Sequence, residues 1–196
     1  MQRFTGFIVA SFFLLLLWSP NCSAVGFGVF LDASGGGSGE MEVNDEFTLD
    51  NDAQTGAIGF VLDTAPTNER VFNYRLNVGL AKQEFDVEFN PKTKSKGIYV
   101  ENIFGFALAK NESFRWWAGP LVRLGYYVGD LNDEDLDYGE FGIGAVTGVN
   151  FKVGNAVLSP SIGVRYSGFS GEFDDFPRDE FEGHTSNIFA NFAVLF

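Results

Sequence analysis

Residue types that are scarce narrow the chain quickly. Its 196 residues hold one cysteine, one histidine and two methionines. The single Cys22 falls in the leader described below, so residues 25–196 have no thiol, no disulfide and no cysteine-bound metal site. An exported domain without disulfides must be held by burial or by insertion into a membrane. Cations are scarce too: 13 Lys and Arg stand against 26 Asp and Glu, a formal charge of −13. That balance argues against nucleic acid, because binding phosphate backbones needs a cationic surface. Beyond the leader no run reaches eighteen apolar residues, so a helical membrane span is excluded. Long stretches of helical periodicity are missing as well, while aromatics make up 16% and glycines number 24. This mixture favours an all-β chain.

The first residues follow the order of a secretory leader. Arg3 precedes the apolar run from Phe7 to Trp18, then come Ser19, Pro20 and the small pair Ser23-Ala24. The apolar part is short for a bilayer span, so residues 1–24 read as a cleaved signal peptide and residues 25–196 as a single domain.

The rest of the chain alternates. In the final stretch Ile188, Ala190, Phe192, Val194 and Phe196 share one parity, with Asn187 and Asn191 on the other, the period-two pattern of a two-faced strand. Seven earlier segments repeat it: Gly26 to Ser34, Thr55 to Asp63, Val71 to Phe85, one around Ile98 to Leu108, one around Trp116 to Tyr127, one around Glu140 to Lys152, and one around Leu158 to Ser167. Asn102 interrupts the apolar parity of the fourth, and Pro120, which cannot donate to a ladder, predicts a bulge in the fifth. Gly35 to Gln54 is too polar and glycine-rich for a strand and reads as a loop, as do the acidic stretches Asp130 to Asp137 and Gly171 to Glu182. Ala65-Pro66-Thr67-Asn68, Asn111-Glu112 and Gly154-Asn155 have turn chemistry. Long and short connections therefore tend to alternate, the pattern of an up-and-down barrel.

With its leader, its eight alternating segments and its terminal Phe196, the chain resembles the small bacterial outer-membrane β-barrels of the outer-membrane protein A, X and W type. The resemblance implies an eight-stranded antiparallel up-and-down transmembrane β-barrel in the outer membrane, with both termini in the periplasm. It also implies outer-membrane lipid and lipopolysaccharide as surroundings, and an assembly machinery that reads the closing strand through Phe196.

Alternation alone allows two barrels, one with its apolar face in lipid and one with that face around a soluble pocket, as in lipocalins. Volume separates them, since an eight-stranded bore is only just wide enough for side chains. The polar parity is rich in small residues such as Gly59, Gly79, Gly105, Gly142, Gly144 and Gly148, whereas the apolar parity is dominated by Phe, Leu, Ile, Val and Tyr. The bulky set is therefore expected outside. That puts Asp32, Asp63, Arg75, Glu101, Arg123, Glu140 and Arg165 in the bore, where isolated charges are costly and are expected to pair into a plug. A narrow channel through the same charges is the alternative.

Candidate sites are few. Gly142, Gly144 and Gly148 sit in a strand pattern with no helix following, so they form no dinucleotide loop, and no cofactor is expected. Asp133, Asp135 and Asp137 are spaced like the start of a calcium loop, but the glycine comes one residue late, at Gly139; a solvated acidic loop, with weak binding of divalent cations, is expected. Lys92, Lys94 and Lys96 could meet lipopolysaccharide phosphates. His184-Thr185-Ser186-Asn187 resembles the His-x-Ser-Asn stretch of outer-membrane lipid A deacylases, which implies His184 and Ser186 as base and nucleophile on the outer wall. The family's acidic residue lies downstream of the serine, where this chain has none. The leading expectation is a non-enzymatic surface barrel displaying acidic loops for adhesion, envelope integrity or shielding, ahead of the hydrolase and the channel.

Overall fold

The computed structural model describes residues 25–43, 47–67, 70–87, 93–131, 134–173 and 180–196. The leader expected over residues 1–24 lies outside them. Eight strands, β1 Gly26–Val43, β2 Phe47–Asp63, β3 Phe72–Val87, β4 Thr93–Lys110, β5 Phe114–Leu131, β6 Glu134–Val153, β7 Ala156–Phe173 and β8 Glu180–Leu195, follow one another in a closed antiparallel barrel. β1 closes on β8, and the seam ends where Phe27 and Phe196 exchange backbone hydrogen bonds of 3.3 and 2.8 Å. Closure leaves no strand edge unpaired.

The strands run further than the alternation of apolar residues suggests. Most of Gly35 to Gln54, expected as a loop, continues the β1–β2 ladder from Gly37↔Ala53 to Val43↔Phe47, with a register shift after Ser34 at the left-handed Gly36 (φ 68°). The acidic stretches extend β5, β6, β7 and β8 in the same way, and Thr93 to Lys96 belong to β4. Backbone pairing stabilises these hairpins together with inward side chains such as Ala53, Leu136 and Phe181, which are buried in the bore. Beyond the apolar belt the outward face carries Glu40, Glu42 and Glu182 while the inward face still buries Ala53, Leu136, Tyr138 and Phe181, so the alternation loses the bulky outer half that marks a strand.

Pro120 makes no bulge. The β4–β5 ladder skips Phe104 and Gly105 but resumes at Phe106↔Ala118 in the same register, and the shift falls instead between Ala107 and Ala109. A proline lacks only the donor on one side of its strand, and the β5–β6 ladder passes Pro120↔Ala145 without interruption. Asn102 faces outward opposite Leu76, and its Oδ1 accepts a 2.5 Å hydrogen bond from Tyr74, so a polar group on the apolar wall is satisfied by its neighbour. Two of the expected turns form: Gly154 (φ 62°) and Asn155 join β6 to β7, and Asn111 closes the β4–β5 connection through its side chain on the Ser113 amide at 2.9 Å; Asn68 of the third lies outside the described residues.

The bulky residues do coat the outside. Phe27, Leu31, Ile58, Phe60, Leu80, Ile98, Ile162 and Val164 are each more than half exposed, while Arg75 and Arg123 are at most 1% exposed. The bore is not lined by glycines and charges alone, however. Phe30, Tyr99, Trp117, Tyr127, Tyr138, Phe169, Phe181 and Phe189 also point inward and are buried. Several of the glycines are notches that admit these rings. A Cβ on Gly148 would lie 2.6 Å from Trp117, one on Gly163 2.6 Å from Phe189, and one on Gly183 2.5 Å from Phe169. Large and small residues thus alternate across the bore and fill it. Gly148→Ala should therefore lower stability by about 1–3 kcal/mol, the usual range for overpacking. The midpoint of urea unfolding in micelles measures this, and an unchanged midpoint would mean that Trp117 does not occupy the notch.

Candidate functional site: the bore and the outer wall

The seven acidic and basic residues expected in the bore are all buried, and an eighth, Arg115, joins them. The described residues therefore bury four arginines and four carboxylates, which sum to no net formal charge. Arg115 lies two residues before Trp117 on the inward parity; extending the fifth segment by one inward position finds it.

The charges form two layers. At the turn end, Asp63 meets Arg75 at 2.8 Å and accepts hydrogen bonds from Asn73 and from the Ala65 amide. Arg75 also donates to Ser159 at 2.7 Å and to Asn150 at 3.3 Å, with its guanidinium 4.7 Å from the Trp117 ring centre. Asn150 in turn accepts from Trp117 and donates to the Pro66 carbonyl at 2.6 Å. Arg115 donates to the carbonyls of Arg70 and Val71 and to Asn73. The β2–β3 connection is thereby tied across this end of the barrel, with Ala65 and Pro66 buried in it. The buried amides Asn73 and Asn150 sit at inward positions of their strands, and their parity is the only trace of this role in the sequence.

In the second layer Arg123 pairs with Glu140 at 3.3 Å, donates to the Tyr127 hydroxyl at 2.7 Å and lies 3.6 Å over the Tyr99 ring. Arg165 is 3.5 Å from Glu101 and 4.0 Å from Glu140, which also accepts from Ser167 at 2.7 Å. Glu101 accepts from Asn77, and Asp32 from Asn191 at 3.4 Å. Low polarity strengthens each of these contacts and makes the loss of any partner costly. Toward the hairpin end the bore becomes aromatic. Tyr127 and Tyr138 stack at 5.1 Å, and Phe85, Phe169 and Phe181 pack around Tyr138. Tyr138 donates to Gln83 at 2.6 Å and shares a hydrogen bond with Ser95.

The outer-wall candidates are less organised. His184 and Ser186 face outward on β8, beside the Gly168 and Tyr166 positions of β7. The His184 ring lies 5.5 Å from that of Tyr166, and Glu40 is its cross-strand partner on β1. No hydrogen bond joins His184 to Ser186 or to a carboxylate among the described residues, and nucleophilic catalysis needs both contacts. The sequence gives no downstream acid, and the tertiary pairing with Glu40 brings one alongside from another strand.

Of the calcium-like series, Asp133 lies outside the described residues, and Asp135 and Asp137 stand in β6 instead of a loop. Asp137 accepts a 2.7 Å hydrogen bond from the Tyr126 hydroxyl. Among the described residues no group of three or more His, Cys, Asp or Glu is arranged to hold a metal ion. Of the three lysines expected to meet phosphates, Lys92 lies outside the described residues, and Lys94 and Lys96 are exposed on β4.

No family model matches this sequence, and no curated protein does. Among solved structures, the outer membrane protein OprG from Pseudomonas aeruginosa is similar over 88% of this chain and 95% of its own, at 10% identity and a TM-score of 0.60. Neisserial surface protein A matches over 85% and 98%, at 14% identity and a TM-score of 0.41. The outer membrane enzyme PagL matches over 82% and 97%, at 17% identity and a TM-score of 0.36. The likeness to OprG is one of fold, and in fold this chain is an eight-stranded antiparallel barrel of the outer-membrane type.

Proposed function

We propose that this protein is an integral, non-enzymatic outer-membrane barrel, shut along its bore, that displays acidic hairpins at the cell surface. The short connections and both termini face the periplasm in this reading, and the extended hairpins serve adhesion, envelope integrity or surface shielding.

The observation that carries the reading is the inversion of the usual soluble arrangement. On β4 the outward face from Ile98 to Leu108, apolar except at Asn102, covers ten steps of strand, about 33 Å. At a tilt of roughly 40° that is close to the ~25 Å height of a lipid-facing band. Water could not favour such a belt, with Leu80, Ile98 and Ile58 each about 60% exposed. Support for a shut bore comes from side chains at three heights, Arg115, Arg123 and Tyr127, each with no accessible surface. The acidic display follows from the charge: with the described bore residues neutral in sum, the chain's negative excess lies elsewhere.

Purified protein in planar bilayers should give no steps above the lipid baseline, with insertion verified separately by its heat-dependent mobility on gels. Regular conductance steps from inserted protein would sink the shut-bore reading in favour of the narrow channel. Recovery of the mature chain as a soluble protein without detergent would sink the membrane reading itself.

A further inference from the structure

The ten described lysines and arginines divide sharply by position. Four arginines are in the bore, and Arg70, Lys110 and Lys152 are at the turn end. The remaining three, Lys82, Lys94 and Lys96, are exposed together on the outward face of β3 and β4, just beyond the last apolar row of the belt. Lys82 and Lys96 are direct cross-strand partners, an arrangement that is unfavourable unless an anion lies between them. Glu84 reaches Lys82 at 3.1 Å, but both side chains are substantially exposed, so the pair is weak. No carboxylate among the described residues pairs with Lys96.

Directly below this basic row runs an apolar one. Gly56, Lys82 and Lys96 are in register across three strands, and Ile58, Leu80 and Ile98 form the next outward row toward the turn end. Gly56 has no side chain to offer the wall, and the result is a shallow, open groove of about 660 Å³ lined by these two rows. Next to this face, the hairpin portions of β1 and its neighbour β8 carry Glu40, Glu42 and Glu182 outward instead.

We propose that the β2–β4 face binds a phosphorylated membrane lipid, with its phosphate between Lys82 and Lys96, Lys94 beyond them, and an acyl chain in the groove over Ile58, Leu80 and Ile98. The occupant follows from charge complementarity: a cross-strand lysine pair on a strongly anionic protein, beside an open apolar depression of the wall, matches an anionic head on a hydrocarbon tail and neither a free ion nor a neutral lipid. The inference rests on the membrane reading above, and its failure is distinguishable from the failure of that reading.

The full-length mature barrel, refolded into phosphatidylcholine vesicles, is titrated with diphosphorylated lipid A, with the same lipid after phosphate removal, and with inorganic phosphate. Lipid A should bind well above its dephosphorylated form, and inorganic phosphate should not compete at similar concentrations. Lys82→Gln and Lys96→Gln should each weaken lipid A binding about fivefold, the effect expected for one basic residue near an anionic surface. Lys110→Gln and Lys152→Gln, at the opposite end, should leave it unchanged. Gly56→Trp fills the groove, and it can do so without moving the backbone because a Cβ there meets nothing within 4 Å; it too should weaken lipid A binding.

Binding that ignores the phosphates, equal losses at Lys110 and Lys82, or full binding by Gly56→Trp overturns the site while normal insertion leaves the barrel reading standing. Competition by inorganic phosphate overturns the lipid as occupant. A wild-type chain that fails to enter vesicles overturns both.

Discussion

Arg123→Met should lower the stability of the refolded barrel by about 3–5 kcal/mol, the usual cost of removing one member of a buried pair. The arginine is fully buried and touches Glu140, the Tyr127 hydroxyl and the Tyr99 ring at once. Methionine matches much of its volume, so the loss comes chiefly from Glu140, which retains Ser167 and a distant Arg165. The sharper measurement is the coupling between partners. Glu140→Gln introduced into Arg123→Met should recover a large part of the loss, because the uncompensated charge is then gone. Urea unfolding in micelles, followed by tryptophan fluorescence, gives all three midpoints. If each single change costs less than about 1 kcal/mol and the double change recovers nothing, this layer is wet and the shut bore is wrong.

Ile162→Arg addresses the opposite face. Ile162 stands at the middle of the outward apolar run of β7 and is 55% exposed. In water an arginine there would be nearly neutral, as at most surface positions. At the midplane of a bilayer it should cost about 2–4 kcal/mol and lower the yield of inserted barrel. Folding equilibria of the variant in vesicles and in micelles measure the difference. Stability equal to the wild type in vesicles would show that no lipid meets this wall. The two substitutions are complementary: one removes a charge from inside the cylinder, the other adds a charge outside, and a soluble barrel with a hydrated pocket would tolerate both.

The legible part of the fold was the part where environment alternates. Between Phe72 and Leu80, or Ile188 and Phe196, each successive residue meets either the belt or the bore, so hydrophobicity has a period of two. Past the belt the outward residues turn polar and only the bore side stays buried, which is why the strand character of Glu40, Asp137 or Glu182 is hard to see in composition although the ladder runs through all three. Pro120 misled for a different reason: a missing donor interrupts one ladder without requiring an extra residue. The outer wall was half legible. Lys94 and Lys96 stand out as a basic run, but Lys82, fourteen residues before Lys96, joins them only because β3 and β4 pair.

By itself the sequence determined the class, the number of segments and which parity is bulky, since these follow from local side-chain choice and the two-residue period of a strand. It also determined that seven acidic and basic residues lie on the inward parity. Only the tertiary structure decided which of them meet, that Arg115 brings the described charges to four against four, and that inward glycines such as Gly148, Gly163 and Gly183 are seats for aromatic rings. Partners such as Arg75 and Asn150, or Gly163 and Phe189, are set by barrel closure and register, which are properties of all eight strands together and of no single stretch of chain.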